Sequence, residues 1–93
     1  MTYVKYASVL VDITRNTSAV VNVTEGDSLT VNCSIGTNDP EWSRQDRGDV
    51  NTETRKTVGV LLLIEKASIA DTGVYVCKHG EDRHTIWIQV LGR

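Results

Sequence analysis

The sequence has no excess of charge of either sign. Ten Lys and Arg stand against 12 Asp and Glu, a formal net charge of −2 at pH 7. The basic residues are not clustered, which removes the electrostatic case for nucleic acid or an anionic membrane as partner. Long apolar runs are missing as well. A membrane span needs roughly 18 apolar residues, whereas the longest run here, Val60 to Ile64, has the length of a strand, so direct membrane insertion of this segment is not expected. Met1 is followed by polar and aromatic residues rather than by a basic stretch and an apolar core, so no signal peptide is visible. If the domain is extracellular, the leader and anchor of its parent are expected to have been cut away, with Met1 starting an excised segment.

Low-complexity tracts, internal repeats and internal linkers are lacking too, and 93 residues make one domain with no room for a second. A domain this small buries roughly 60–65% of the surface of its extended chain, so its core is thin and a covalent staple would help. Catalytic signatures are absent. There is no Gly-x-Ser-x-Gly elbow, neither His79 nor His84 has an obvious orienting group, and the carboxylates fall in turns. No enzymatic activity and no cofactor are expected. Cysteine is scarce: Cys33 and Cys77 fit either two buried thiols or one bridge when counted alone.

What the chain does have is short alternating apolar stretches between polar turns. Met1 to Ala7 shows no clear period and is expected to be an arm or linker, with the domain running over residues 8–93. From Ser8 onward Val9, Val11 and Ile13 alternate, then Val21 and Val23, then Leu29, Val31 and Cys33. Glu25-Gly26-Asp27 reads as a tight turn between two of these stretches. Trp42 follows the lone proline, Pro40, and Val60 to Ile64, Val74 with Val76, and Ile86 with Ile88 and Val90 complete the set. Seven or eight short strands at this spacing predict an all-β, antiparallel two-sheet sandwich. Glu65 to Ala70 has some helical propensity but is bounded by Asp71 and Gly73, so it holds at most a single turn.

One constellation is more specific. Cys33 closes an inward-facing series, Trp42 follows nine residues later, and Asp71-Thr72-Gly73-Val74-Tyr75-Val76-Cys77 places Tyr75 and Cys77 on one face of a strand. This resembles the immunoglobulin superfamily, with cysteines on strands B and F, a tryptophan on strand C and a tyrosine corner two residues before the second cysteine. The resemblance runs from about Ser8 to Leu91. It implies a Greek-key sandwich with an inter-sheet Cys33–Cys77 disulfide, a Tyr75 hydroxyl bonded back to the backbone, room at the turn provided by Gly73, and an Asp71 that meets Arg55 or Lys56. A bridge closing a loop of about 44 residues stabilises by about 4 kcal/mol in the chain-entropy model, and it persists in an oxidising compartment. Cys33 and Trp42 are closer than in many members of the family, and residues 43–74 leave no space for a full C′–C″ hairpin. Both departures point to an I-set or C2-set domain rather than an antigen-receptor variable domain.

The resemblance implies a binding scaffold, and the exposed features are candidates for what it binds. If Ile86, Ile88 and Val90 face inward, Thr85, Trp87 and Gln89 face out, beside Val74, Val76 and Lys78 of the neighbouring strand. That puts a tryptophan on the surface of the C–F–G sheet, where aromatic residues anchor interfaces; Leu61 and Leu63 form a rival patch. Asn16, Asn22 and Asn32 head Asn-x-Ser/Thr sequons and are candidate glycosylation positions. Arg47-Gly48-Asp49 matches the tripeptide that integrins recognise, although Gly-Asp is also ordinary turn chemistry. The segment Lys78 to His84 reads as a charged hairpin tip. Its His79, Glu81, Asp82 and His84 lack the ligand spacing of a closed metal site, and no metal is expected. The expectation is an extracellular recognition module of a multidomain cell-surface receptor or adhesion protein, binding a protein ligand or a homophilic partner. The alternative is a structural spacer without a ligand of its own.

Overall fold

The structure, a computed structural model, describes residues 7–13, 18–33, 40–45 and 49–92. Among these, eight strands form: β1 (Ser8–Ile13), β2 (Ser18–Thr24), β3 (Ser28–Cys33), β4 (Glu41–Arg44), β5 (Arg55–Val58), β6 (Leu61–Ile64), β7 (Gly73–His79) and β8 (Asp82–Leu91). They make two four-stranded sheets, ordered β1-β3-β6-β5 and β2-β8-β7-β4. The expected all-β sandwich is present, but its sheets are mixed. β1 runs parallel to β3 and β2 parallel to β8, while the other pairs are antiparallel. Parallel neighbours cannot be joined by a tight hairpin; here the crossover from β1 to β3 is β2 itself, in the opposite layer.

Alternation decides which side chains fill the space between the layers. In the first sheet Val9, Leu29, Ile64 and Arg55 lie on one inner row, and Val11, Val31, Leu62 and Thr57 on the next. The second sheet answers with Ala19, Ile86, Tyr75 and Arg44, and with His84, Cys77 and Trp42. Leu29, Val31, Leu62, Ile64, Ile86 and Ile88 are fully buried, each worth about 1.5–3 kcal/mol over an exposed side chain. Through this layer passes the Cys33–Cys77 disulfide, with Cα atoms 6.7 Å apart. Trp42, paired in register with Cys77, packs in the same core.

The turn between β2 and β3 organises one pole of the sandwich. Gly26 takes a φ of 94°, in the left-handed region that costs glycine little, and the Asp27 N–H closes the turn on the Thr24 carbonyl at 3.0 Å. Both ends of the domain attach here. The Glu25 N–H donates to the Leu91 carbonyl at 2.8 Å and the Ser28 N–H to the Ala7 carbonyl at 3.0 Å. The Ala7 N–H donates to Asp27 Oδ1 at 3.0 Å. Ala67 is held as well, its carbonyl accepting from Gly26 and its N–H donating to Asp27, both at 2.8 Å. That anchorage, with Lys66 at a φ of 53°, interrupts any helix begun at Glu65. The single helical turn therefore forms later, as a 3-10 turn over Ile69–Asp71. Of the arm expected over residues 1–7, residues 1–6 lie outside the described residues.

Replacing both Cys33 and Cys77 by Ala is expected to lower the unfolding free energy by about 4 kcal/mol in urea denaturation. A loss below about 1 kcal/mol would show that the unfolded chain without the bridge keeps long-range order of its own.

Candidate protein-binding face

β8 gives the second sheet its outer surface. His84, Ile86, Ile88 and Val90 are buried, so Thr85, Trp87 and Gln89 must stand on the opposite side of the strand. Trp87 is 54% exposed, as the alternation predicts, and no bulge turns it inward. It pairs in register with Val20 on β2 and Val74 on β7, which makes an apolar row of Val20, Trp87 and Val74 across three strands. Val20 is 70% exposed and Val74 half-buried. The flanking outer rows are uncharged: Ser18, Thr85, Val76 and Ser43 on one side, Asn22 and Gln89 on the other. Charge enters one row further out, where Glu41, Lys78 and Arg83 align.

Two adjustments to the expected surface follow. Val76 faces outward but is only 5% exposed and lies outside the core cluster, so it underpins the face rather than offering contact area. Val20 takes its place. Sequence reasoning missed Val20 because alternation shows that β2 has an outer face, not which sheet it joins. Lys78 and Gln89 are exposed and Thr85 is half-buried. The rival pair Leu61 and Leu63 is half-buried on the outer side of the first sheet, with Asn32 and Lys56 as register neighbours.

The corner leading into β7 is built on Arg55, from the opposite sheet. Its Nη1 lies 2.7 Å from Asp71 Oδ1, an ion pair with both side chains 4% exposed, and also donates to the Tyr75 hydroxyl at 2.8 Å. Its Nε donates to the Val50 carbonyl at 2.7 Å and its Nη2 to the Asp49 carbonyl at 3.1 Å. The Tyr75 hydroxyl in turn donates to the Asp71 carbonyl at 2.7 Å, the backward bond expected of a tyrosine corner. Of the two cations considered for Asp71, Arg55 is the partner and Lys56 is exposed. Arg44 adds a second guanidinium near Tyr75, its Cζ 5.2 Å from the ring centroid against 5.4 Å for Arg55. The Arg44 Nη2 donates to the Thr72 carbonyl at 3.1 Å. A Cβ at Gly73 would lie 2.5 Å from that nitrogen, so the glycine makes room for the Arg44 guanidinium as well as for the turn.

The remaining candidates separate. Gly80, at a φ of 60°, allows a tight reversal between β7 and β8. His84 does not belong to the charged tip: it is 0% exposed, opposite Cys77 in the core. The signal was available, since His84 is in phase with Ile86, Ile88 and Val90. Arg47 and Gly48 lie outside the described residues. Asp49 is exposed, with its carbonyl occupied by Arg55. Asn16 also lies outside the described residues. Asn22 is exposed on the outer face of β2, and Asn32 is half-buried on β3.

Comparison with known proteins agrees with this architecture. The family model for the immunoglobulin domain matches residues 12–79, from the end of β1 to the end of β7, and the chain belongs to that family. No curated protein sequence matches it. Among solved structures, an Ig-like domain of human obscurin-like protein 1 is similar at a TM-score of 0.68 and 15% identity, over 87% of this chain and 84% of that one. The extracellular domain of the voltage-gated sodium channel β4 subunit, described as a parallel homodimer with a role in cell–cell adhesion, superposes at 0.63 and 15% identity, over 82% and 87%. The first Ig domain of ZIG-8, solved as a homodimer, superposes at 0.60 and 18% identity, over 80% and 79%. Among the described residues no helix is long and apolar enough to cross a membrane.

Replacing Arg55 with Ala strands the Asp71 carboxylate in the core, and is expected to cost about 3–5 kcal/mol in urea denaturation. Lys56→Ala on the same strand should stay within about 0.5 kcal/mol of the parent. Equal effects of the two would remove the buried pair as the corner's anchor.

Proposed function

We propose that this domain is an extracellular recognition module of a multidomain cell-surface receptor or adhesion protein, and that it docks a protein partner on the outer face of β2-β8-β7-β4. The observation that carries this reading is Trp87, more than half exposed in the interior of a sheet and flanked in register by Val20 and Val74. A tryptophan loses little conformational entropy on binding and buries a large area, and residues of this kind dominate interface energetics.

The partner favoured is a second copy of the same domain. A two-fold contact brings each surface residue against the same patch of its mate, so like charges at its centre would repel. Here the central rows carry none, and the nearest charged row contains both signs, in Glu41, Lys78 and Arg83. The homodimers described for the sodium channel β4 ectodomain and for ZIG-8 support the same choice. The disulfide supports an oxidising location.

Trp87→Ser tests the reading. Loss of about 2 kcal/mol or more from association, a weakening of about 30-fold, is expected in sedimentation equilibrium, with an unfolding midpoint within a few degrees of the parent. Unchanged association would take this face out of consideration. A domain that stays monomeric at high concentration and captures no surface partner would favour a structural spacer.

A further inference from the structure

The sequon at Asn22 lies on the proposed docking face itself. Asn22-Val23-Thr24 satisfies the acceptor pattern for N-glycosylation, and the structure meets the geometric demands of a glycan there. Val21 and Val23 are buried on either side, so the Asn22 side chain projects outward with those of Val20 and Trp87. Asn22 itself is exposed. β2 is the last strand of its sheet, with β8 as its neighbour on one side, leaving space laterally as well as above.

Register places this position close to the anchor. Asn22 pairs with Gln89, and Val20, two residues earlier, pairs with Trp87. Adjacent strands are about 4.8 Å apart and residues two apart on a strand about 6.7 Å, so the Asn22 and Trp87 backbones are roughly 8 Å from each other. A standard interface covers about 800 Å² on each partner, a disc of roughly 16 Å radius, so Asn22 falls well within any footprint centred on Trp87. A bulky, hydrated glycan at that point and a partner seated on the whole face exclude each other. Asn32 provides a contrast. It is half-buried and sits on the outer side of the other sheet, paired with Asp12 and Leu61, so a glycan there leaves the Trp87 face uncovered.

We propose that Asn22 carries an N-linked glycan that shields the Trp87 face and limits docking on it, so that glycan occupancy at one asparagine sets how strongly the domain associates. The inference rests on the recognition reading above for its consequence, and on the sequon and the register for its placement. It is tested by secreting the domain from glycosylating cells as the parent and as Asn22→Gln, Thr24→Val and Asn32→Gln. Two variants break the same sequon in different ways, so a folding defect in one does not obscure the result.

Peptide mass mapping after enzymatic glycan release is expected to show Asn22 converted to Asp in the parent. Acrylamide quenching, read at a dilution where the domain is monomeric so that self-association does not itself cover Trp87, then reports the shield directly, because Trp42 is 9% exposed against 54% for Trp87. Quenching is expected to rise in Asn22→Gln, in Thr24→Val and in the enzymatically deglycosylated parent, and not in Asn32→Gln. Self-association measured by sedimentation is expected to tighten about tenfold or more, equivalent to 1.4 kcal/mol, in the same three samples. An unmodified Asn22, or a modified one whose removal leaves quenching unchanged, overturns the proposal. Raised quenching without self-association in any sample retains the shield and rejects the second copy as partner, which separates failure of the recognition reading from failure of this one.

Discussion

In β8 four alternate side chains, His84, Ile86, Ile88 and Val90, are held in the core, and a strand so committed has no freedom over the others. A slip of one residue would send all four to solvent and bring Arg83, Thr85, Trp87 and Gln89 inside. The cost of burying an arginine and a glutamine without partners makes that register inaccessible. Trp87 is thus exposed because its neighbours are not, and the candidate face is a by-product of the packing that stabilises the domain.

That packing is pinned in two chemically different ways. The disulfide joins β3 to β7 and acts mainly by restricting the unfolded chain. The Arg55 cluster joins β5 to the corner before β7 through directional bonds. A buried ion pair is weak evidence of net stability, because desolvation offsets much of its attraction. Its contribution is geometric: Arg55 can satisfy Asp71, Tyr75, Asp49 and Val50 together only when the two sheets sit in one relative position. The disulfide narrows the ensemble, and the arginine selects one arrangement within it.

Much of this was legible in the residue pattern, because alternation is a direct record of which side of a strand meets the core. Leu29, Val31, Cys33, Ile86 and Ile88 all fall where their spacing puts them, and the Asp71-to-Cys77 segment led to the tyrosine corner. What could not be read is what period two does not encode. It carries no strand direction, so the parallel pairing of β1 with β3 and of β2 with β8 was hidden. It carries no sheet membership, so neither Val20 nor Asn22 could be placed beside Trp87. His84 was obscured for a different reason: its polarity and its charged neighbours drew it into the hairpin, although its phase belonged to the core.

The parallel course of β1 also determines where the two ends of the sandwich lie. Ala7 and Leu91 are both bonded to the turn around Glu25 to Asp27, so the start of β1 and the end of β8 lie at one pole. A module threaded like a bead, with entry and exit at opposite ends, has both ends occupied by its neighbours. Here both lie at the same end, as in a pendant. The β7–β8 hairpin lies at the opposite pole, so the outer face that holds Trp87 runs from the end where β1 begins and β8 finishes to an end that neither of them occupies.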